Sequence, residues 1–240
     1  CGEAAVTEPA GADSPPALPF ATVNHAAIDF LGRVVPDVPL TTLAGEPTSL
    51  LAGHRERVLV VAFTQVGCPV AQRYGPTLDR LHGLFRERGV GFVGVDASPQ
   101  DSPGEIEGQA ARLGLEFPFL QDRRQELLRA LDVRTSTEVL VLDQERRLRC
   151  RGAIDDSLAV GIVRGQSEHE FLRDAIEAVL AGGPPGILAT DAPGCIVTRL
   201  PPEEFLEPLP DPVTYYEHVA PILPENCVPC HREGPVGPFT

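Results

Sequence analysis

The chain has 240 residues, 42% of them hydrophobic, which suffices for one good-sized core plus an accessory segment and excludes disorder throughout. Its formal net charge is -14, with 20 basic residues that are all Arg; such a surface repels phosphate backbones and argues against nucleic acid as a partner. No apolar run approaches the roughly eighteen residues that a membrane span needs.

Residues 1–19 are rich in Pro and low in apolar content apart from Ala, and read as a tether. Cys1-Gly2 followed by this acidic, Ala/Pro-rich stretch resembles the mature start of a bacterial lipoprotein. The resemblance implies a lipid on Cys1 as the only membrane attachment, and an exported, periplasmic or outer-membrane address where disulfides and covalent haem are permissible. Ala27 to Phe30 and Val38 to Leu43 are predicted as short extended pieces, with a turn at Gly45-Glu46-Pro47.

The central stretch runs from Val58 to Tyr74. Val58-Leu59-Val60-Val61-Ala62-Phe63 is a continuous apolar, β-branched run and predicts a strand buried on both faces. Thr64-Gln65-Val66-Gly67 then turns into Cys68-Pro69. Pro suits the first helical position, because its fixed φ is already helical and its missing N–H would have no partner there; Cys68 becomes the N-cap. A sulfur in that place faces unpaired backbone N–H groups and the positive end of the helix dipole, and both favour thiolate.

Val70, Tyr74, Leu78, Leu81 and Phe85 follow at helical spacing, ending at Gly89; Val90 to Val95 reads as the next buried strand, ending at Asp96. Ser102-Pro103-Gly104-Glu105 is a capping box that opens a second helix, and Phe117 to Leu120 is a short strand or bend. Asp122 and Gln125 frame a further cap. Glu138 to Leu142 and Leu148 to Ile154 predict an antiparallel hairpin, and Ser167 to Glu170 a third capping box before a helix that stops at Gly182. This alternation argues an α/β fold: a central mixed sheet with helices on both faces.

Phe63-Thr64 through Cys68-Pro69, with Val139-Leu140-Val141-Leu142-Asp143 and a Gly-rich return, resembles the redoxin branch of the thioredoxin-like superfamily, which includes the peroxiredoxins. The likeness implies a thioredoxin-like domain over residues 20–198, followed by an extended tail over 199–240. Thioredoxins proper carry a second cysteine three residues after the first, and here that position is Ala71. Three routes stay open: the Cys68 thiolate attacks a peroxide and awaits an outside thiol, a distant cysteine resolves it, or redox chemistry has been lost. Cys195, on a loop after the last helix, is favoured as resolver, and Cys150, in mid-strand, as a packed thiol. The family's cis proline is also missing: Thr135-Ser136-Thr137-Glu138 stands in its place, with a trans peptide expected, since the cis form without proline costs about 3 kcal/mol. Thr137 is therefore expected to bring an N–H and a hydroxyl towards the sulfur. In peroxiredoxins a Thr one turn before the cysteine assists peroxide binding, and Thr64, four residues before Cys68, is the imperfect counterpart.

Cys227-Val228-Pro229-Cys230-His231 has the CxxCH spacing of c-type haem attachment, in which two thioethers fix the porphyrin and the histidine ligates iron. Thr214 to Glu217 caps a short helix leading into it, similar to the opening helix of bacterial cytochrome c domains. The rival readings are a zinc site on Cys227, Cys230, His231 and His218, and a simple disulfide. Nine residues follow His231 and the chain has no Met, so neither a porphyrin-wrapping pocket nor a Met ligand comes from it. Asp155-Asp156 and Glu203-Glu204 read as solvated turns, and His25, His54, His82 and His169 as surface residues.

The reading is a thiol-based oxidoreductase acting on a thiol, disulfide or peroxide at Cys68. Thr64 and Thr137 orient the partner, Cys195 resolves, and haem c on Cys227, Cys230 and His231 exchanges electrons with a redox partner. The competing reading is a non-catalytic scaffold with a structural Cys68–Cys195 disulfide that docks neighbouring haem or copper domains.

Overall fold

The computed structural model describes residues 28–159, 162–201 and 214–223. The tether, the CxxCH motif with His231, His25 and Glu203-Glu204 lie outside them. The chain divides into two compact units, Cys1–Arg199 and Leu200–Thr240. In the second, Thr214 accepts a hydrogen bond from the Glu217 N–H and caps one π-helical turn, Tyr215–Val219, where a short helix was expected.

The first unit is built on a seven-stranded mixed sheet. In chain order come β1 (Pro39–Thr42), β2 (Pro47–Ser49), β3 (Val58–Thr64), α1 (Pro69–Phe85), β4 (Val90–Asp96), α2 (Pro103–Leu113), β5 (Phe119–Gln121), α3 (Glu126–Ala130), β6 (Val139–Leu142) and β7 (Leu148–Gly152). A two-stranded ribbon, β8 (Leu158–Ala159) and β9 (Ile162–Val163), precedes α4 (Phe171–Leu180). Across the sheet the order is β2-β1-β5-β4-β3-β6-β7. β3, β4 and β5 run parallel; β6 pairs antiparallel with β3, and β7 antiparallel with β6.

β3 is the central strand, and its alternation feeds two cores. Val58, Val60 and Ala62 pack with Tyr74, Leu78, Leu81 and Phe85 of α1 and with Leu172, Ala175 and Ile176 of α4. Leu59, Val61 and Phe63 pack on the other face with Leu127 and Leu128 of α3, Leu40 and Leu50. Each such side chain contributes roughly 1.5–3 kcal/mol on burial, so a strand sealed on both faces concentrates the driving force where the site begins.

After α4 the chain folds back as a strap. It first runs beside β7: the Arg151 N–H donates to the Leu188 carbonyl at 3.0 Å, the Thr190 N–H to the Arg151 carbonyl at 3.1 Å, and the Ala153 N–H to the Thr190 hydroxyl at 2.8 Å. Gly152 makes this possible, with φ +130° and only 2.3 Å between an added Cβ and the Thr190 carbonyl oxygen. The strap then bridges the segment before β6. Thr135 pairs with Ile196, the Ser136 N–H donates to the Cys195 carbonyl at 3.0 Å, and the Val197 N–H to the Arg134 carbonyl at 3.0 Å.

Several local expectations are corrected. Ile28 to Leu31 form a helical turn rather than an extended piece. The predicted Ser167–Glu170 box does not form: Glu170 is the N-cap and caps through no side chain, while the Glu168 and His169 N–H groups donate to Asp156. Asp122 alone caps α3, accepting from Glu126 and Leu128 N–H groups, while Gln125 has φ +55°. Asp155 and Asp156 are buried, because Asp155 accepts from the Tyr74 and Ser157 hydroxyls and Asp156 from the 168–169 backbone. His82 is half-buried, edge-on to Phe92 and Phe117, and His54 and His169 are half-buried as well.

Beneath the strap, Arg151 and Glu138 form a buried ion pair, 3% and 7% exposed, with Arg151 also donating to the Leu131 carbonyl at 2.7 Å. Burial pushes the Glu138 carboxyl upward against the pull of Arg151, so the pair survives only while complete. Arg151→Ala, which strands a buried carboxylate, is expected to cost about 3–5 kcal/mol, read as a lowered urea midpoint with unchanged slope.

Candidate active site

Cys68 stands at the seam between β3 and α1. The Cys68 N–H donates to the Gln65 carbonyl at 3.3 Å, closing a four-residue turn in which Gly67 has φ +76°, a conformation glycine adopts without strain. Asp101 accepts from the Val66 N–H at 2.6 Å, while Gln109 accepts from the Gly67 N–H at 3.1 Å and donates to the Gln65 carbonyl at 3.3 Å. Cys68 is the N-cap of α1 with Pro69 next; its carbonyl takes the first helical hydrogen bond from Gln72, and its sulfur accepts from the Ala71 N–H at 3.5 Å.

Cys68 is 2% exposed, so its surroundings decide its charge. Burial works to raise the thiol pKa, but hydrogen bonds from the Ser136 hydroxyl, the Ala71 N–H, and the Cys195 thiol and N–H outweigh it, and the net direction is down. Cys195, half-buried on the strap, moves the other way: its bond to the Cys68 sulfur, its burial and the Cys68 charge push it up to about 11. Both are free thiols. The two thiols are thus pushed in opposite directions, with Cys195 a hydrogen-bond donor to the Cys68 sulfur.

Cys68 and Cys195 are thus brought together, and the other sequence-predicted residues fall into place around them differently. The Thr137 hydroxyl is turned to the Pro193 carbonyl of the strap, so it secures the loop that carries Cys195 and does not itself bond the Cys68 sulfur. Thr64 ends β3 in register with Asp96 and is not among the donors to Cys68. The residue that sequence reasoning missed is Ser136. Fully buried, it accepts from the Cys195 N–H at 3.2 Å and donates to Cys68, tying the two sulfurs' environments through one oxygen. The peptides here are trans, no cis bond occurring among the described residues. Cys150 is apart from the site: it donates to the Ile187 carbonyl at 3.4 Å, and burial pushes its thiol up to about 12. Cys227, Cys230 and His231 lie outside the described residues.

Beside the sulfurs, a cavity of about 20 Å³ is lined in part by Thr64, Ala71, Tyr74, Ser136 and Thr137. That volume holds a single water. Elsewhere, Asp156, Glu168 and His169 bring one ligand atom each within 4.8 Å of one another. Asp156 is already bonded to Arg164 and to the 168–169 N–H groups, which makes this cluster a loop fastening rather than a metal centre.

A parallel-centred mixed sheet presenting a cysteine at a helix N-terminus, with a second thiol against it, defines a thioredoxin-like oxidoreductase. Residues 31–157 match the model of the AhpC/TSA family, and the chain belongs to that family. It is similar to the thiol-disulfide oxidoreductase ResA of Geobacillus kaustophilus, 25% identical over 119 residues that span 50% of this chain and 67% of the relative. Among solved structures, an uncharacterized conserved protein from Geobacillus kaustophilus is 28% identical with a TM-score of 0.62, covering 72% of this chain and 93% of its own. A hypothetical protein from Sinorhizobium meliloti 1021 is 25% identical, also at 0.62, covering 70% and 93%.

A thiol pKa depressed in the folded state contributes stability that is full above the ordinary value near 9.0 and is lost as pH falls through the lowered one. Ser136→Ala removes a donor to the thiolate. A hydrogen bond to a charged group is worth about 1.5–3 kcal/mol, so the Cys68 titration should move up by about one to two pH units, read from the pH dependence of its alkylation rate.

Proposed function

We propose that the protein is a two-cysteine thiol-disulfide oxidoreductase in which Cys68 is the nucleophile and Cys195 the resolving thiol. The observation that carries this reading is the placement of the two thiols, Cys68 at the N-cap of α1 and Cys195 pinned to Ser136 within hydrogen-bond reach of it, and the opposed directions of their pKa shifts agree with it. In reduction of a substrate disulfide, the Cys68 thiolate forms a bond to one substrate sulfur and the substrate S–S bond breaks, releasing the other half as a thiolate. Once Cys68 carries that bond it is no longer an anion, and the charge and hydrogen bond that held Cys195 up to about 11 are gone. Cys195 then deprotonates more readily and attacks the Cys68 sulfur, expelling the second substrate thiolate. The protein dithiol has given two electrons and become a disulfide. Resolution is in this way triggered by the first step rather than competing with it.

The haem and its setting belong to the same proposal. What supports a c-type haem on Cys227, Cys230 and His231, exchanging electrons with the dithiol by way of a redox partner, is the CxxCH spacing in the sequence.

Cys68→Ser should bring disulfide turnover to background, whereas Cys195→Ser should complete the first step and accumulate a mixed disulfide on Cys68, identified by mass spectrometry. Turnover retained in Cys68→Ser would refute the assignment, and a sulfenic acid on Cys68 formed with peroxide but no exchange with disulfides would redirect it to peroxide reduction. For the tail, covalent haem predicts a visible absorption band and a matching mass increment in the protein exported by its producing cell, both lost in Cys227→Ser/Cys230→Ser.

A further inference from the structure

Asp96 ends β4 directly across from Thr64, one turn from the site, and is 1% exposed. One of its oxygens, Oδ1, accepts from the Ser98 N–H at 2.9 Å. The other, Oδ2, is buried with no donor. An ionised carboxylate left in that state is costly. The neighbour that answers it is another acid: the Asp101 side chain lies within hydrogen-bond reach of Asp96. Asp101 Oδ2 in turn accepts from the Val66 N–H at 2.6 Å, in the turn that delivers Cys68.

Like charges in contact disfavour one another, and the proton stays with the carboxyl that is sealed from water, here Asp96, while Asp101 is half-buried. A proton on Asp96 Oδ2 converts the orphaned acceptor into a donor towards Asp101, whose own Oδ2 accepts from the Val66 N–H. We propose that Asp96 and Asp101 share one proton and act as a positioning pair, in which neutral Asp96 holds the Asp101 carboxylate against Val66 and so fixes the Gln65–Gly67 turn below Cys68. The turn is gripped from two sides, by Gln109, which does not titrate, and by an acid pair, which does. This deepens the thiol reading and rests on it only for the effect on Cys68.

The surrounding charged groups leave the pair to itself. Asp122, which follows β5, spends its carboxyl on the Glu126 and Leu128 N–H groups, and Arg123 is held by the Gln121 side chain. Gln121 donates to the Asp101 carbonyl, not to its carboxylate. From β3 the facing residue is uncharged Thr64. Burial first, then the charge and hydrogen bond of Asp101, outweigh the Ser98 N–H and push Asp96 up to about 8. Because the folded value is raised, the proton is held near neutrality. As pH climbs through about 8, Asp96 becomes charged, its donor to Asp101 is lost and the grip on Val66 loosens.

The test uses the full chain with three readouts: the infrared stretch of a protonated carboxyl, the amide resonance of Val66, and the alkylation rate of Cys68, each followed from mildly acidic to alkaline pH. The wild type should show the protonated band at neutral pH, and the Val66 resonance and the Cys68 rate should both inflect near the pH at which the band disappears. Asp96→Asn still donates to Asp101 but cannot titrate: it should lack the band, lose the Val66 inflection and the matching component of the Cys68 rate, keep only the inflection of the Cys68 thiol itself, and retain most of the Cys68 rate at neutral pH. Asp101→Asn removes the neighbouring charge, so the Asp96 band should vanish at lower pH. The proposal is overturned if the wild type has no protonated carboxyl at neutral pH, if Asp96→Asn keeps the band, or if the Val66 resonance ignores the titration. An inert Cys68 beside an intact band and Val66 inflection would instead sink the thiol reading and leave the acid pair standing.

Discussion

A sulfur sealed from water holds a negative charge only if enough N–H and O–H groups reach it. For Cys68 burial argues against the thiolate, and donors gathered from the start of α1, from the segment before β6 and from the strap reverse the balance. That requirement organises the molecule. The sheet must bring the end of β3 beside the start of β6, α1 must begin within one turn of β3, and a segment far along the chain must return to complete the ring.

The return of the strap is the least local of these. The chain from Leu188 to Val197 adds hydrogen bonds to the edge strand β7 and then to Arg134 and Ser136, in the segment that leads into β6. Arg151 joins both: its backbone pairs with Leu188 and Thr190, while its guanidinium reaches under to Glu138 and Leu131. Packing, ion pairing and thiol chemistry therefore share residues, and a fault in one propagates to the others.

Much of this was legible in the sequence because it is written locally. The uninterrupted apolar run of β3, Pro69 after Cys68, the Ser102–Glu105 box and Gly89 at a left-handed stop are short-range signals, and the structure follows them. Ser136 was not legible. Which of three consecutive hydroxyl residues faces the sulfur depends on how the strap pairs with the segment, and the strap takes Thr135 and Thr137 for its own Ala192 and Pro193 carbonyls. Asp155-Asp156 failed for a related reason. Adjacent acids look solvated until Tyr74 and the 168–169 backbone supply donors from elsewhere in the chain. Ser167 and Glu170 had the letters of a capping box, but the Glu168 and His169 amides were already claimed by Asp156, and α4 starts one residue past Glu170.

Gly194 gives the strap a mechanical property of its own. An added Cβ there would lie 2.8 Å from the Thr137 hydroxyl oxygen and 3.3 Å from its backbone nitrogen, so the chain touches its support just before Cys195, the sulfur proposed to resolve Cys68. With Thr190 fastened behind and Val197 ahead, only a handful of peptide units are left to bend when the sulfurs join or part. The stroke of the redox cycle is short, and the oxidised and reduced forms are expected to share nearly the same scaffold, so the driving force of exchange is spent on sulfur chemistry and not on refolding.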